Sequence, residues 1–176
     1  MALDSSNVRV AVTGEVLVGA TSASAPSGTG GTTTGFTGLG YISEDGITES
    51  RDLTTDSITA FQNGDEVRRV ITGSSLTYNF RLIEVNAATM QLFYGAAPSG
   101  GSVVVVPSSN GGRKSFIIDI VDGSELMRIY IPEGEVTEVG DVTYANGEAI
   151  GYEVTISCYP NTALGGSAEI FTTALS

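Results

Sequence analysis

Between residues 75 and 85 the chain alternates without a break. Leu76, Tyr78, Phe80 and Leu82 fall on one side, and Thr77, Asn79 and Arg81 on the other. A period of two sustained over this length describes a half-buried β-strand and fits no helix. Glu84 falls in phase with the apolar side. Either the strand ends there and the carboxylate reaches water, or Glu84 pairs with an arginine, which can belong to a neighbouring copy.

The same signal recurs in shorter form. Residues 8–13 (Val-Arg-Val-Ala-Val-Thr) and 16–18 read as strands, as do the apolar run 103–106, stopped by Pro107, and the segments 115–121, 126–131, 148–159 and 168–173. Asp45-Gly46, Asn63-Gly64, Asn110-Gly111, Asp122-Gly123 and Asn146-Gly147 are turn pairs, since Gly accepts positive φ and Asn or Asp supports a local turn. Strands parted by such turns indicate an antiparallel sandwich or barrel. A single helix is expected over about 86–94. Asn86 is placed to cap it, Gly95 to end it, and Met90, Phe93 and Tyr94 to dock it on a sheet.

Two segments lack this patterning. Residues 20–37 are mostly Ser, Thr, Ala and Gly, too poor in apolar bulk to offset their ordering entropy, and read as a flexible arm or loop. Residues 48–64 are mostly polar, with Leu53, Ile58 and Phe61 as large apolar exceptions. No internal repeat appears, and a single domain is expected over 1–176.

Composition narrows the chemistry. The chain has no histidine and one cysteine, which excludes a Ser-His-Asp triad, a Cys-His pair and a thiolate metal centre. Cys158, inside a strand-like stretch, is expected to be a small buried side chain. The net charge is −12, with Arg68-Arg69 and Arg113-Lys114 as the only basic pairs, so tight nucleic-acid binding is not expected. The glycine-rich stretch 28–40 is no phosphate loop. It lacks the Gly-Lys-Ser/Thr ending, and Thr33 stands where a dinucleotide fingerprint needs its third glycine. Asp119, Asp122 and Glu125 do not match an EF-hand loop, and Glu44-Asp45 and Glu133 with Glu135 read as solvated turn carboxylates rather than an acid and base. No catalytic, cofactor or metal residues are assigned. No apolar run is long enough to span a membrane, and the start (Met1 to Asn7) lacks the regions of a signal peptide, so the protein is expected to be made and used without secretion.

Several scattered pieces resemble the tail tube (major tail) proteins of long-tailed bacteriophages. They are residues 39–47 (Leu-Gly-Tyr-Ile-Ser-Glu-Asp-Gly-Ile), 58–68, 80–86 leading to 92–95, 128–136 and 151–155, in that order and spacing. The resemblance implies a mainly β fold, with two packed antiparallel sheets forming a sandwich or barrel-like body and one flanking α-helix. It implies a non-enzymatic virion protein that polymerises as stacked hexameric rings around a channel, which DNA crosses without specific binding. Implied partners are other copies, a tape measure protein and a tail terminator, with no cofactor and no membrane. The implied location is the virion tail, assembled in the host cytoplasm. By the same analogy residues 48–64 are a candidate inter-ring loop, mobile in the free subunit. Ile58 and Phe61 would be its anchors, unless they tuck into their own core. Ile58, Phe61, Arg68, Arg69 and Glu84 are the candidate inter-subunit contacts, and which residues line the channel is not legible. Rival readings are a head-decoration or tail-completion protein, a carbohydrate-binding β-sandwich, which the absence of Trp disfavours, and a two-carboxylate glycosidase.

Overall fold

A computed structural model describes residues 7–173; almost all of the N-terminal stretch examined for a signal peptide lies outside that range. In chain order the elements are β1 (Thr13–Gly19), β2 (Phe36–Gly38), β3 (Ile42–Thr59), β4 (Glu66–Leu82), α1 (Ala87–Tyr94), β5 (Lys114–Asp122), β6 (Glu125–Val139), β7 (Tyr152–Cys158) and β8 (Glu169–Thr172). All pairings are antiparallel.

The alternating segment 75–85 is the inner end of the longer β4. Leu76, Tyr78 and Phe80 stand opposite Arg51, Glu49 and Ile47 of β3, and residues 77–82 pair on the other side with β7. Tyr78, Phe80 and Leu82 are fully buried. The strand order is β2-β1-β5-β6-β7-β4-β3, with β8 on β6. The two packed sheets are thus halves of one continuous sheet. β6 belongs to both, pairing with β5 up to Gly134 and with β7 from Gly134 onward. One core results, joining Val16 of β1, Phe116 and Ile118 of β5, Ile131 of β6, Val154 and Ile156 of β7, and the inner face of β4. Pro132 does not end β6 as a turn. It sits at the register shift between Ile131 and Gly134, where a residue without an N–H is tolerated.

The helix has the expected ends. Asn86 accepts from the Thr89 N–H at 2.9 Å, and Gly95 closes it at φ 65°. Asn86 Nδ2 and Thr89 Oγ1 both donate to the Leu39 carbonyl, at 2.9 and 2.7 Å, which fixes the chain entering β3. Leu92 is the side chain that sinks into the core, while Phe93 stacks edge-on against Tyr152.

Four local expectations are corrected. Residues 8–12 form no strand: Val8, Val10 and Val12 are 70, 62 and 69% exposed, and the stretch is held by isolated bonds, Val12 N–H to the Val121 carbonyl at 3.1 Å and Val10 N–H to Asp122 at 3.0 Å, instead of a continuous ladder. Residues 103–106 form none either, because nothing covers both faces of an apolar run there. Asp45-Gly46 is a bulge inside β3, marked by the register jump from Ile42 to Ile47 and φ 73° at Gly46. Residues 48–59 are not loop but strand, since β3 runs on to Thr59 and turns at Asn63-Gly64, both at positive φ.

Replacing Phe116 by Ala removes the ring that both sheet halves share. Urea denaturation is expected to show a loss of about 3–5 kcal/mol.

Candidate functional site: an arm, a polar sheet face and a groove

Where β7 stops pairing, at Thr77, the β3–β4 hairpin continues alone. Residues 51–76 form a two-stranded arm with no further strand on either side among the described residues. Its sequence is rich in Thr, Ile and Val, residue types enriched in strands. The Ala60 N–H donates to the Asp65 carbonyl at 2.8 Å and closes the tip, and Arg69 forks onto Glu66 at 3.0 and 3.1 Å.

The arm collects most of the candidate contacts. Ile58 lies directly opposite Arg68 and is 53% exposed, and Phe61 at the tip is fully exposed, so neither joins its own core. Leu53, Val67 and Ile71 on the same arm are half or more exposed. Glu84 lies elsewhere, just past the end of β4 away from the arm. It accepts from the Tyr41 N–H at 3.1 Å and from Asn86 Nδ2 at 3.3 Å, with no arginine partner among the described residues.

The outward face of the β3-β4-β7-β6 half is polar from edge to edge. One row across it reads Thr48, Asn79, Thr155, Glu138 and the next reads Ser50, Thr77, Ser157, Glu135. Asn79 Nδ2 donates to Glu153 and to Thr155 Oγ1, both at 3.0 Å, and the Thr137 and Ser157 hydroxyls lie 2.8 Å apart. The sheet therefore has one wet side, in which the acids Glu135, Glu138 and Glu153 outnumber the single cation Arg81.

The outward face of the other half is dry. Leu17, Ile117 and Tyr130 form a small cluster closed by Phe36 and Phe171. Beside it Arg128 is bidentate to Asp119 at 2.6 and 2.7 Å, with both side chains under 10% exposed. These hydrogen bonds hold the Arg128 pKa further above its ordinary value. The remaining Arg128 nitrogen donates to the carbonyls of Gly31, at 2.8 Å, and Gly28. Residues 20–35, unpatterned in sequence, are thereby strapped over this face, with Pro26 buried beneath. No local signal could have revealed this tie, which spans some 97 residues.

Three further carboxylates are engaged by partners within the chain. Asp122 accepts from the Val10 N–H, Glu125 from Arg9, and Glu133 from Arg113 at 2.6 Å and Asn161 at 3.0 Å. The Arg113 and Asn161 bonds hold Glu133 below the usual carboxylate range. Among the described residues no group of His, Cys, Asp or Glu could hold a metal, and no helix is long and apolar enough to cross a membrane. Cys158 is buried, and burial pushes its thiol up to about 12.

An open groove of about 770 Å³ lies by the start of β3, at the end of that strand away from the arm, between residues 11–15 and 38–47. Among the described residues, strand β1 at Thr13–Glu15 has β5 as its only strand partner and β3 has only β4, so both rims carry unpaired strand edges. Tyr41, Val12 and Ile47 supply apolar lining, and Glu15, Glu44 and Glu84 supply acid without any base.

Among the described residues, open strand edges, a protruding arm and an open groove characterise an antiparallel β-module. The chain belongs to the phage tail tube protein family, whose model matches residues 1–171. No curated protein sequence matches it. Among solved structures it overlays on a chain of the sheath-tube complex of an extracellular contractile injection system, PVC, in the extended state. That overlay has TM-score 0.52 at 12% identity, covering 98% of this chain and 100% of that one. It also overlays on the tube-terminating cap of the anti-feeding prophage, with TM-score 0.51 at 11% identity, covering 98% and 95%. These two likenesses show a shared fold.

Replacing Arg128 by Met strands the Asp119 carboxylate in a dry site. A loss of about 3–5 kcal/mol is expected, with faster amide exchange over residues 20–35 by mass spectrometry. The Cys158 thiol is expected to stay unlabelled by a thiol reagent at pH 8 and to react fully in denaturant. Burial keeps it neutral there, and a folded-state reaction as fast as a free thiol's would show that Cys158 is accessible.

Proposed function

We propose that this protein is the structural subunit of a phage tail tube, polymerising into a hollow tube with no catalytic role. The observation that carries the reading is the family match over nearly the whole chain. The surface supports it. An arm that exposes Phe61 completely, and apolar side chains along its length, is costly in a solitary protein and is accounted for when another copy covers it.

In this reading the arm 51–76 joins successive rings, and Ile58, Phe61, Arg68 and Arg69 make inter-subunit contacts. Glu84 acts within its own chain, positioning the turn at Tyr41. The polar face of β3-β4-β7-β6 is the channel wall. Its acids repel phosphate, while its hydroxyls and amides keep it wet, so that DNA slides instead of binding. The strap over residues 20–35 covers the opposite face, which then lies away from the channel. Hexameric rings, a tape measure protein inside the tube and a terminator at its end complete the proposal, with the tail of the virion as the location.

Negative-stain electron microscopy of the purified protein tests it. Hollow tubes or stacked rings are expected on concentration. Isolated particles of single-chain size under every condition, or closed trimers, would overturn it.

A further inference from the structure

We infer that the groove by the start of β3 is the receptor for the arm's end on a second copy of this chain, with Arg68 of one copy paired to Glu44 of the next. This rests on the tube reading and names the surface that receives the arm.

The two surfaces are complementary. Three of the eight basic side chains, Arg51, Arg68 and Arg69, sit on the arm of a chain whose net charge is −12. Arg69 is held by Glu66, whereas Arg68 has no carboxylate partner among the described residues. Its cross-strand neighbour is the exposed Ile58, so a cation and an apolar anchor leave the arm on one face. The groove offers the inverse. Glu44 is an exposed carboxylate on its rim, with Tyr41 (77% exposed) and Val12 (69%) as apolar rim residues. Val8 and Val10 extend that apolar strip along the chain leading to β1. The unexplained exposure of residues 8–12 and of the arm thus finds one common cause.

An arm cannot fill its own groove. Ile47 lies on the groove wall and Phe61 at the tip, and the extended path between them covers about 46 Å at about 3.3 Å per residue. The docking is therefore between copies. It joins two different surfaces, so it propagates in one direction and does not close on itself as a two-fold pair would. The loose strand edges at Thr13–Glu15 and on β3 are available to the incoming strand, which would add backbone hydrogen bonds to the side-chain fit. Because the arm sets the reach, successive copies along it stand no more than about 46 Å apart.

The test uses Ile58→Cys in one preparation and Val12→Cys in another, both at exposed positions and with the native Cys158 buried. Mixed and assembled, then oxidised, the two are expected to give a cross-linked dimer that neither yields alone. Separately, Arg68→Glu is expected to raise the concentration needed for assembly at least tenfold while leaving the melting temperature unchanged, and Glu44→Arg in the same chain is expected to restore it. If the unaltered protein assembles but the cysteine pair does not cross-link and the charge exchange does not rescue, the groove assignment is overturned and the tube reading stands. Should the unaltered protein never assemble, both fall together.

Discussion

The change of partner along β6 is the constraint on which the rest depends. At Gly134 the strand leaves β5 and takes up β7, and at that point the chain passes so close to Phe116 and Ile156 that a Cβ would lie 2.8 and 2.9 Å from their side chains. Glycine therefore permits two sheet halves to wrap one core instead of needing a second sheet with its own. Closure stops short of a full barrel. β1 and β3 remain unjoined, so the fold keeps both a groove and two free edges, and neither is a defect if the missing strand comes from elsewhere.

The two halves divide the physical work. The half formed by β1, β5, β6 and β8 is sealed on its outer face by the strap, the Phe36–Tyr130 edge contact and the Arg128–Asp119 pair. Burying that pair costs desolvation that the bidentate contact and the two glycine carbonyls offset, and the yield is placement of a segment with no core of its own. The half formed by β3, β4, β7 and β6 leaves its outer face open. There a carpet of Thr, Ser, Asn and Glu satisfies its own hydrogen bonds, as Asn79 does with Glu153 and Thr155, and needs no cover.

What was legible in the sequence were features whose causes are local. The helix declared itself through Asn86 and Gly95, and strand β4 through alternation enforced by a core on one side only. Cys158 proved buried, as its strand context suggested. The arm was read as loop because both of its faces meet solvent, which erases the periodic signal on which strand reading depends. The reverse error occurred at 8–12 and 103–106, where β-branched composition mimicked strands but no continuous ladder forms. The strap was illegible in principle, since Arg128 lies far along the chain. Of the candidate contacts, Ile58, Phe61, Arg68 and Arg69 came together on the arm because they flank one turn. Glu84 did not join them, as its phase with the apolar face reflects the end of β4 and a bond to the Tyr41 N–H.

The arm also raises a question of energetics. An isolated two-stranded hairpin is marginal in water, and this one departs from the body without a third strand. Its register is held by the Asn63-Gly64 turn, by the Arg69–Glu66 fork and by continuity with the paired ends of β3 and β4. It contains two register irregularities, near Thr54 and near Ile58, each loosening the ladder. Such an element belongs to the low-stability end of the molecule, opening locally at little cost to the core. In the proposed tube, that property acts before docking. The ordering cost weakens chance association of free copies, and only a partner that engages side chains and strand edges together recovers it.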